Sequence, residues 1–328
     1  MSGSERGKLV DWYRSLADDY LRGRSPIYVE LCSRITGDAE ILELLETLPF
    51  PKRQPNLLLA SYRWLFGVPD DYATFRERLR QSWPEVAKVM RARSTQTNEP
   101  GRCAVLLPAL ARLPEPLALI EVGTSAGLCL LPDFYDYDYG ERGRVPSQRR
   151  EDAPLLPCSA DAATPIPTAL PRIVWRAGID LNPIDVNDEA AVRWLQMLVW
   201  PEQTDRQDRL AKAAAIARAN RVRIHRGDLL TDLVGIAKEA PKGATLVVFH
   251  TAVLAYVAPQ EARDEFSKTA QDLCDVWLSN EDPSVFPGIA AAAGPPPKGK
   301  MLLAQNGRPL AWTDPHGATI NWIEQSDE

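Results

Sequence analysis

The chain has 328 residues, 45% hydrophobic and 25% charged, with a net charge of −6. That length suits one large domain or two smaller ones of ordinary globular composition. The acidic balance gives no general attraction for phosphate backbones, so nucleic acid is not an expected partner.

The five cysteines, Cys32, Cys103, Cys129, Cys158 and Cys274, form no CxxC pair. The three histidines, His225, His250 and His316, form no HxxxH or HxH spacing. Reduced, mostly buried thiols and no zinc site are therefore expected. No apolar run is long enough for a signal sequence or a membrane span, which points to a cytoplasmic protein with no membrane partner. Nothing in the sequence sets an oligomeric state.

The first hundred residues read as helical. Apolar residues recur at helical spacing in Leu9, Tyr13, Leu16 and Tyr20, in Ile41, Leu44, Leu45 and Leu48, and in Tyr72, Phe75, Leu79, Trp83, Val86 and Met90. Pro26, Pro49, Pro51, Pro55 and Pro69 fall between these stretches, where helix ends belong. Residues 1–96 are thus an all-helical N-terminal cap. Asn98 then suits an N-cap and Pro100 a first helical turn, predicting a helix to about Leu113.

From there the pattern changes to strands alternating with helices. The runs at 117–122, 173–180, 245–249 and 276–278 and the alternating stretch 222–228 read as strands, and 187–199, 205–220 and 259–273 as helices. Such alternation implies a parallel sheet covered on both faces. Three short strands near 301–304, 309–312 and 318–322, with turn signals between them, predict an antiparallel C-terminal edge. Residues 97–328 are therefore an α/β domain of the Rossmann-like, doubly wound kind, with a mostly parallel sheet. Two stretches read as loops: 141–171, with six prolines, and 287–300. The arginines of the first (Arg142, Arg144, Arg149, Arg150) are offset by Glu141, Glu151 and Asp152, so it is not a nucleic-acid patch.

Candidate chemistry gathers at strand ends, where open α/β sheets bind ligands. The first strand ends in Glu121-Val122-Gly123-Thr124-Ser125-Ala126-Gly127. Glycine allows a sharp turn close to a ligand, and free N–H groups at a following helix start would hold an anion. The spacing fits neither the GxGxxG dinucleotide fingerprint nor a P-loop. The second strand ends in Gly178-Ile179-Asp180, and the third is followed by Gly227-Asp228. A carboxylate accepts two hydroxyl donors at once, as a ribose requires. His250 ends the fourth strand, with three roles open to it: general base, pocket lining or structural group.

Those ordered acids and glycines resemble the S-adenosylmethionine-dependent methyltransferase superfamily over about residues 97–325. The resemblance implies a cofactor site of Glu121, Gly123, Ser125, Gly127, Asp180 and Asp228. It also implies that Asn98, Glu99 and Arg102 contact cofactor or substrate, with Arg102 pairing a carboxylate. More narrowly, Gln96–Arg102, Glu121–Leu128, Tyr135–Gly140 and Gly178–Pro183 resemble the bacterial family called domain of unknown function 2332, over nearly the full length. Ser125 stands where the superfamily's GxGxG loop has its middle glycine, and Asp180 lies farther from Gly123 than a ribose-binding acid usually does.

The reading is an S-adenosylmethionine-binding, methyltransferase-like protein acting on a small molecule. One alternative is a non-catalytic binding or regulatory protein on that fold. Another follows from the G-x-S-x-G spelling at 123–127, which with Asp228 and His250 downstream matches the hydrolase order of nucleophile, acid and histidine. Tyr135, Tyr137 and Tyr139, alternating with Asp136 and Asp138, form either a binding rim or a packed face, and His225 reads as a satisfied structural histidine.

Overall fold

The computed structural model describes residues 4–147 and 152–323. Arg149, Arg150 and Glu151 of the proline-rich stretch lie outside them. The chain divides into two compact units, Met1–Thr97 with Asp188–Asp208, and Asn98–Asn187 with Arg209–Glu328.

The first unit is helical. It contains α1 (Glu5–Ser15), α2 (Pro26–Ile35), α3 (Ala39–Glu46), α4 (Pro55–Phe66), α5 (Tyr72–Gln81) and α6 (Trp83–Ala92). Prolines occupy the first turns of α2, α4 and α6, where no donor is needed. Asp38 and Asp71 cap α3 and α5 through their carboxylates. The expected stripe of the first helix fails at its end. Residues Leu16–Leu21 form a π-helical turn, whose extra residue per turn shifts the inward face to Ala17 and Leu21 and leaves Tyr20 56% exposed.

The helix predicted at 187–199 forms as α8 (Glu189–Leu198), capped by Asp188. It belongs to the helical unit. Trp194 is buried in the apolar core of the helical unit, with Met197 and Leu198 packed against that core. The Arg63 guanidinium fastens this stretch by donating to the Val199 carbonyl (2.6 Å). Sequence separation concealed the placement, because the apolar stripe states only that one face is buried and not against what.

The second unit is mixed α/β around a large, mostly parallel sheet. After α7 (Arg102–Leu110) come β1 (Leu117–Val122), β2 (Asp136–Asp138), β3 (Arg144–Val145), β4 (Leu155–Pro157), β5 (Ser159–Ala160) and β6 (Ile173–Asp180). The chain returns along α9 (Thr204–Asn220) to β7 (Arg223–Arg226), α10 (Leu229–Ala237), β8 (Thr245–Thr251), α11 (Gln260–Leu273) and β9 (Val276–Glu281). Finally come α12 (Pro287–Ala292), β10 (Met301–Gln305), β11 (Arg308–Thr313) and β12 (Thr319–Trp322).

The sheet order is β5-β12-β11-β10-β9-β8-β1-β6-β7. The strands β7, β6, β1, β8 and β9 run parallel, and β10, β11 and β12 form the antiparallel edge. Helices α10 and α12 were not expected from the sequence. Nor was the small sheet β3-β2-β4, which fills the first crossover. There Tyr135, Tyr137 and Tyr139 are fully buried, and their hydroxyls donate to the carbonyls of Leu128, Pro132 and Ala104 (2.6–2.7 Å). The tyrosine run is a packed face, not a binding rim.

Order β7-β6-β1-β8-β9 places β1 where the connections diverge: the next strands lie to one side, the later ones to the other. Such a point opens a crevice at the carboxyl ends of the strands. Residues Ile120, Val122, Val248 and Trp277 pack with α10 and α11 on one face of the sheet. Strand alternation then sends Glu121, Asp180 and Thr251 to the other face.

Candidate functional site

The loop after β1 is clamped from three directions. Gly123 (φ 71°) and Gly127 (φ 72°) take the left-handed conformation, and so does Ser125 (φ 50°). For Ser125 this is a strained choice for a side chain with a Cβ, held by its surroundings. The Asp180 carboxylate accepts from Ser125 N (2.8 Å) with one oxygen and from Asn182 N (2.7 Å) with the other. The Asn98 amide reaches in from before α7, donating to Ser125 Oγ (2.7 Å) and accepting from Ala126 N (2.9 Å). Ile179 carbonyl accepts from Gly123 N (2.8 Å) and Thr124 N (3.2 Å).

Asn98 is therefore not the N-cap of α7. The helix starts at Arg102 with Gly101 in the cap position, so the Asn98 side chain is released to bridge the loop. The loop's own N–H groups are also not a ready anion site. Two short 3₁₀ turns, Leu128–Leu130 and Pro132–Phe134, follow in place of a longer helix. Moreover, all five amides of 123–127 are engaged: Gly123 N and Thr124 N with Ile179 O, Ser125 N with Asp180, Ala126 N with Asn98 and Gly127 N with Thr124 O. Asp133 fixes the segment beyond, since the Arg176 guanidinium donates to both of its oxygens (2.9 and 3.1 Å).

Two glycines explain their own presence. A Cβ on Gly123 would overlap the Val253 side chain, and one on Gly178 would overlap Thr124. Thr124 is thus packed down onto β6, and its hydroxyl donates to Glu121 Oε2 (2.6 Å). Glu121 is buried, and that burial pushes its carboxyl up to about 8. Near neutral pH it is mostly protonated, a neutral group at the base of the loop.

The start of α7 is tied to the far strands. Arg102 is buried and donates through Nη1 to Thr251 O (3.0 Å) and Thr251 Oγ1 (3.1 Å), and through Nε to Pro315 O (2.9 Å). Two of its nitrogens therefore hold protein oxygens, where the sequence suggested a free fork for a ligand carboxylate. Glu99 is buried as well, and its Oε1 accepts from Gly101 N (3.0 Å).

His250 does not face the loop as a general base would. It is fully buried on the opposite face from Glu121. Trp277 Nε1 donates to its Nε2 (3.0 Å), so Nδ1 carries the proton and donates to Glu281 Oε1 (2.7 Å). With no free nitrogen and a cage of Phe266, Trp277 and Phe286 around the ring, it is not a general base. The hydrolase arrangement fails with it: Ser125 Oγ faces the Asn98 amide, and His250 faces Glu281 and Trp277. The same Glu281 oxygen accepts from Val253 N (3.0 Å) and Leu254 N (3.2 Å), so the dyad positions the segment that overlies Gly123.

Asp228 is exposed and caps α10 by accepting from Leu230 N (2.9 Å). It lies beside Asp180, because Gly227 N donates to Asp180 O (3.1 Å). His225 is not satisfied as expected: among the described residues its buried Nε2 has no hydrogen-bond partner, and Glu239 Oε2 lies at 3.9 Å. The structure thus joins Asn98, Ser125 and Asp180 in one network, with Glu121 and Thr124 beneath it.

The sequence reading missed several residues at this edge. Leu181 is 63% exposed, Leu230 42% and Tyr256 87%. The first two follow Asp180 and Asp228 directly or at one remove, a pairing of acid and apolar residue that was visible in the sequence. Glu281 ends β9 three residues beyond the apolar run Val276–Leu278 that marks this strand in the sequence. Among the described residues no group of three or more His, Cys, Asp or Glu is placed to hold a metal ion, and no helix is long and apolar enough to cross a membrane.

The model of a family described as an uncharacterized protein conserved in bacteria (DUF2332) matches residues 10–322. No curated protein and no solved structure matches the chain.

Proposed function

The chain belongs to the DUF2332 family, and we propose that it binds S-adenosylmethionine at the Glu121–Gly127 edge as a Rossmann-like, methyltransferase-like protein with a small-molecule substrate. The carrying observation is the repeated pairing of an acid with an exposed leucine at two neighbouring strand ends, Asp180 with Leu181 and Asp228 with Leu230.

The chemistry of these groups fits a nucleoside. An ionised carboxylate has about four acceptor positions. Asp180 uses one on each oxygen for Ser125 N and Asn182 N, which leaves capacity for the two ribose hydroxyls. Exposed Leu181 and Leu230 offer apolar faces to the adenine ring, with Asp228 at its rim. Gly123, Ser125 and Gly127 keep the loop low enough for the cofactor to pass, and Asn98 holds the loop in that shape. Glu99, Arg102 and Glu121 stand toward the methionine end, where Glu121 presents a neutral carboxyl. When bound, the cofactor supplies an electrophilic methyl group, and exposed Tyr256, beyond β8, marks where an acceptor would meet the chain.

The burial of His250 favours a second reading, cofactor binding without transfer. Isothermal titration with S-adenosylmethionine and S-adenosylhomocysteine tests the shared premise. Saturable binding is expected, weakened at least tenfold by Leu181→Asp, a surface change that leaves the core intact. If neither ligand binds, and Leu181→Asp and Asp180→Ala behave like the parent chain, the proposal is wrong. Label transfer from S-adenosylmethionine across an acceptor panel separates the two readings.

A further inference from the structure

A cavity of about 890 Å³ lies at the other end of the sheet, within the roughly 300–1,000 Å³ usual for small-molecule sites. It is lined by the end of α7, by the β10–β11 turn and by the end of β12. The turn is anchored at the start of β9, where Asn306 N donates to Trp277 O (2.8 Å) and Trp277 N donates to Asn306 Oδ1 (2.7 Å). The parallel strands begin here, so the cavity stands apart from the Glu121–Gly127 loop by the length of β1, roughly 20 Å.

Among the described residues that line it, Arg112 and Arg308 contribute two guanidiniums and none is Asp or Glu, in a chain whose net charge is −6. Among the described residues neither arginine has an ion pair. Arg112 lies over the Trp322 ring, 5.8 Å from its centroid, within cation–π reach. Gln305 adds an amide, and Leu113 and Leu310 form a buried apolar floor.

We propose that this cavity is a second ligand site, for a small aromatic molecule bearing an oxyanion. Guanidinium forks match carboxylate and phosphate oxygens, Trp322 offers a ring edge and face to an aromatic body, and the leucine floor takes up its apolar surface. The site is independent of the cofactor reading.

Isothermal titration of the full chain with 1-naphthoate, 1-naphthyl phosphate and neutral 1-naphthylmethanol tests it. Saturable binding of at least one anion is expected, at least tenfold tighter than the alcohol, and the tighter anion tells carboxylate from phosphate. Arg112→Ala with Arg308→Ala should weaken the anion at least tenfold and leave the alcohol unchanged. Arg308→Gln, which keeps an N–H donor group and loses the charge, should give an intermediate loss. Unchanged circular dichroism and unfolding midpoints show that the variants fold. No saturable anion binding at millimolar concentration, equal binding of the alcohol, or binding indifferent to the arginine changes would overturn the proposal.

Discussion

Replacing Glu121 with glutamine should stabilise the protein, and by an amount that depends on pH. The substitution keeps the shape of the side chain and an oxygen to accept from Thr124 Oγ1, which donates to Glu121 at 2.6 Å. What it removes is a titration. Burial raises the folded-state value of Glu121 from 4.5 to about 8, while in the unfolded chain the carboxyl ionises near its ordinary value. Between those two values the folded state holds a proton that the unfolded state has released, so stability falls as pH rises. Each pH unit of the interval corresponds to about 1.4 kcal/mol. The parent chain therefore loses about 3 kcal/mol from this one group by neutral pH, and about 5 kcal/mol once the folded carboxyl has ionised. Glutamine loses nothing over the same range. Urea unfolding of both proteins at acid, neutral and alkaline pH measures the difference, in which all other titrating groups cancel. It should be small in acid, several kcal/mol at neutral pH and level in alkali. A difference that stays constant with pH refutes the assignment of a buried, neutral Glu121.

Three further outcomes are expected. His250→Ala leaves buried Glu281 and Trp277 Nε1 without the ring that joins them, at a cost of about 3–5 kcal/mol; His250→Gln should lose less, and an unchanged urea midpoint for the alanine variant contradicts the structural role. Gly123→Ala puts a Cβ at φ 71° and against Val253. The backbone part costs about 1–2 kcal/mol, and Val253→Ala in the same chain should relieve the steric part, so strict additivity in the double-mutant cycle argues against the contact. Asn98→Ala removes both bonds that bridge the loop, and amide exchange at Ala126 should rise. Asn98→Asp keeps the acceptor and should keep Ala126 protected, and equal exchange in both variants would show that Asn98 does not hold the loop.

Much of the second unit was legible locally. The run 173–180 is a strand with those bounds, and α9 and α11 lie within a residue of their predicted starts. Their residues carry the periodicity of the element that buries them, and the proline, glycine and capping residues mark the ends. Helix α10 was hidden behind Gly227-Asp228, read only as a strand end, although Asp228 is also a good N-cap. The β1 loop was recognisable because Gly123 and Gly127 both take left-handed backbone, a requirement that glycine meets without strain.

The sequence by itself determined where the strands, turns and candidate acids lie, since each depends on the backbone preferences and burial face of neighbouring residues. Only the tertiary structure decided what those groups do. Asn98 meets Ser125 across 27 positions, and Arg102 meets Pro315 across 213. His250 loses both nitrogens to residues 27 and 31 positions away. Helix α8 packs in the helical unit although its neighbours in sequence belong to the sheet. Hydrogen-bonding capacity is a property of one side chain, but its partner is chosen by which strands and loops the chain brings alongside. The acids at the strand ends could therefore be found from sequence, while the difference between a free histidine and a buried one could not.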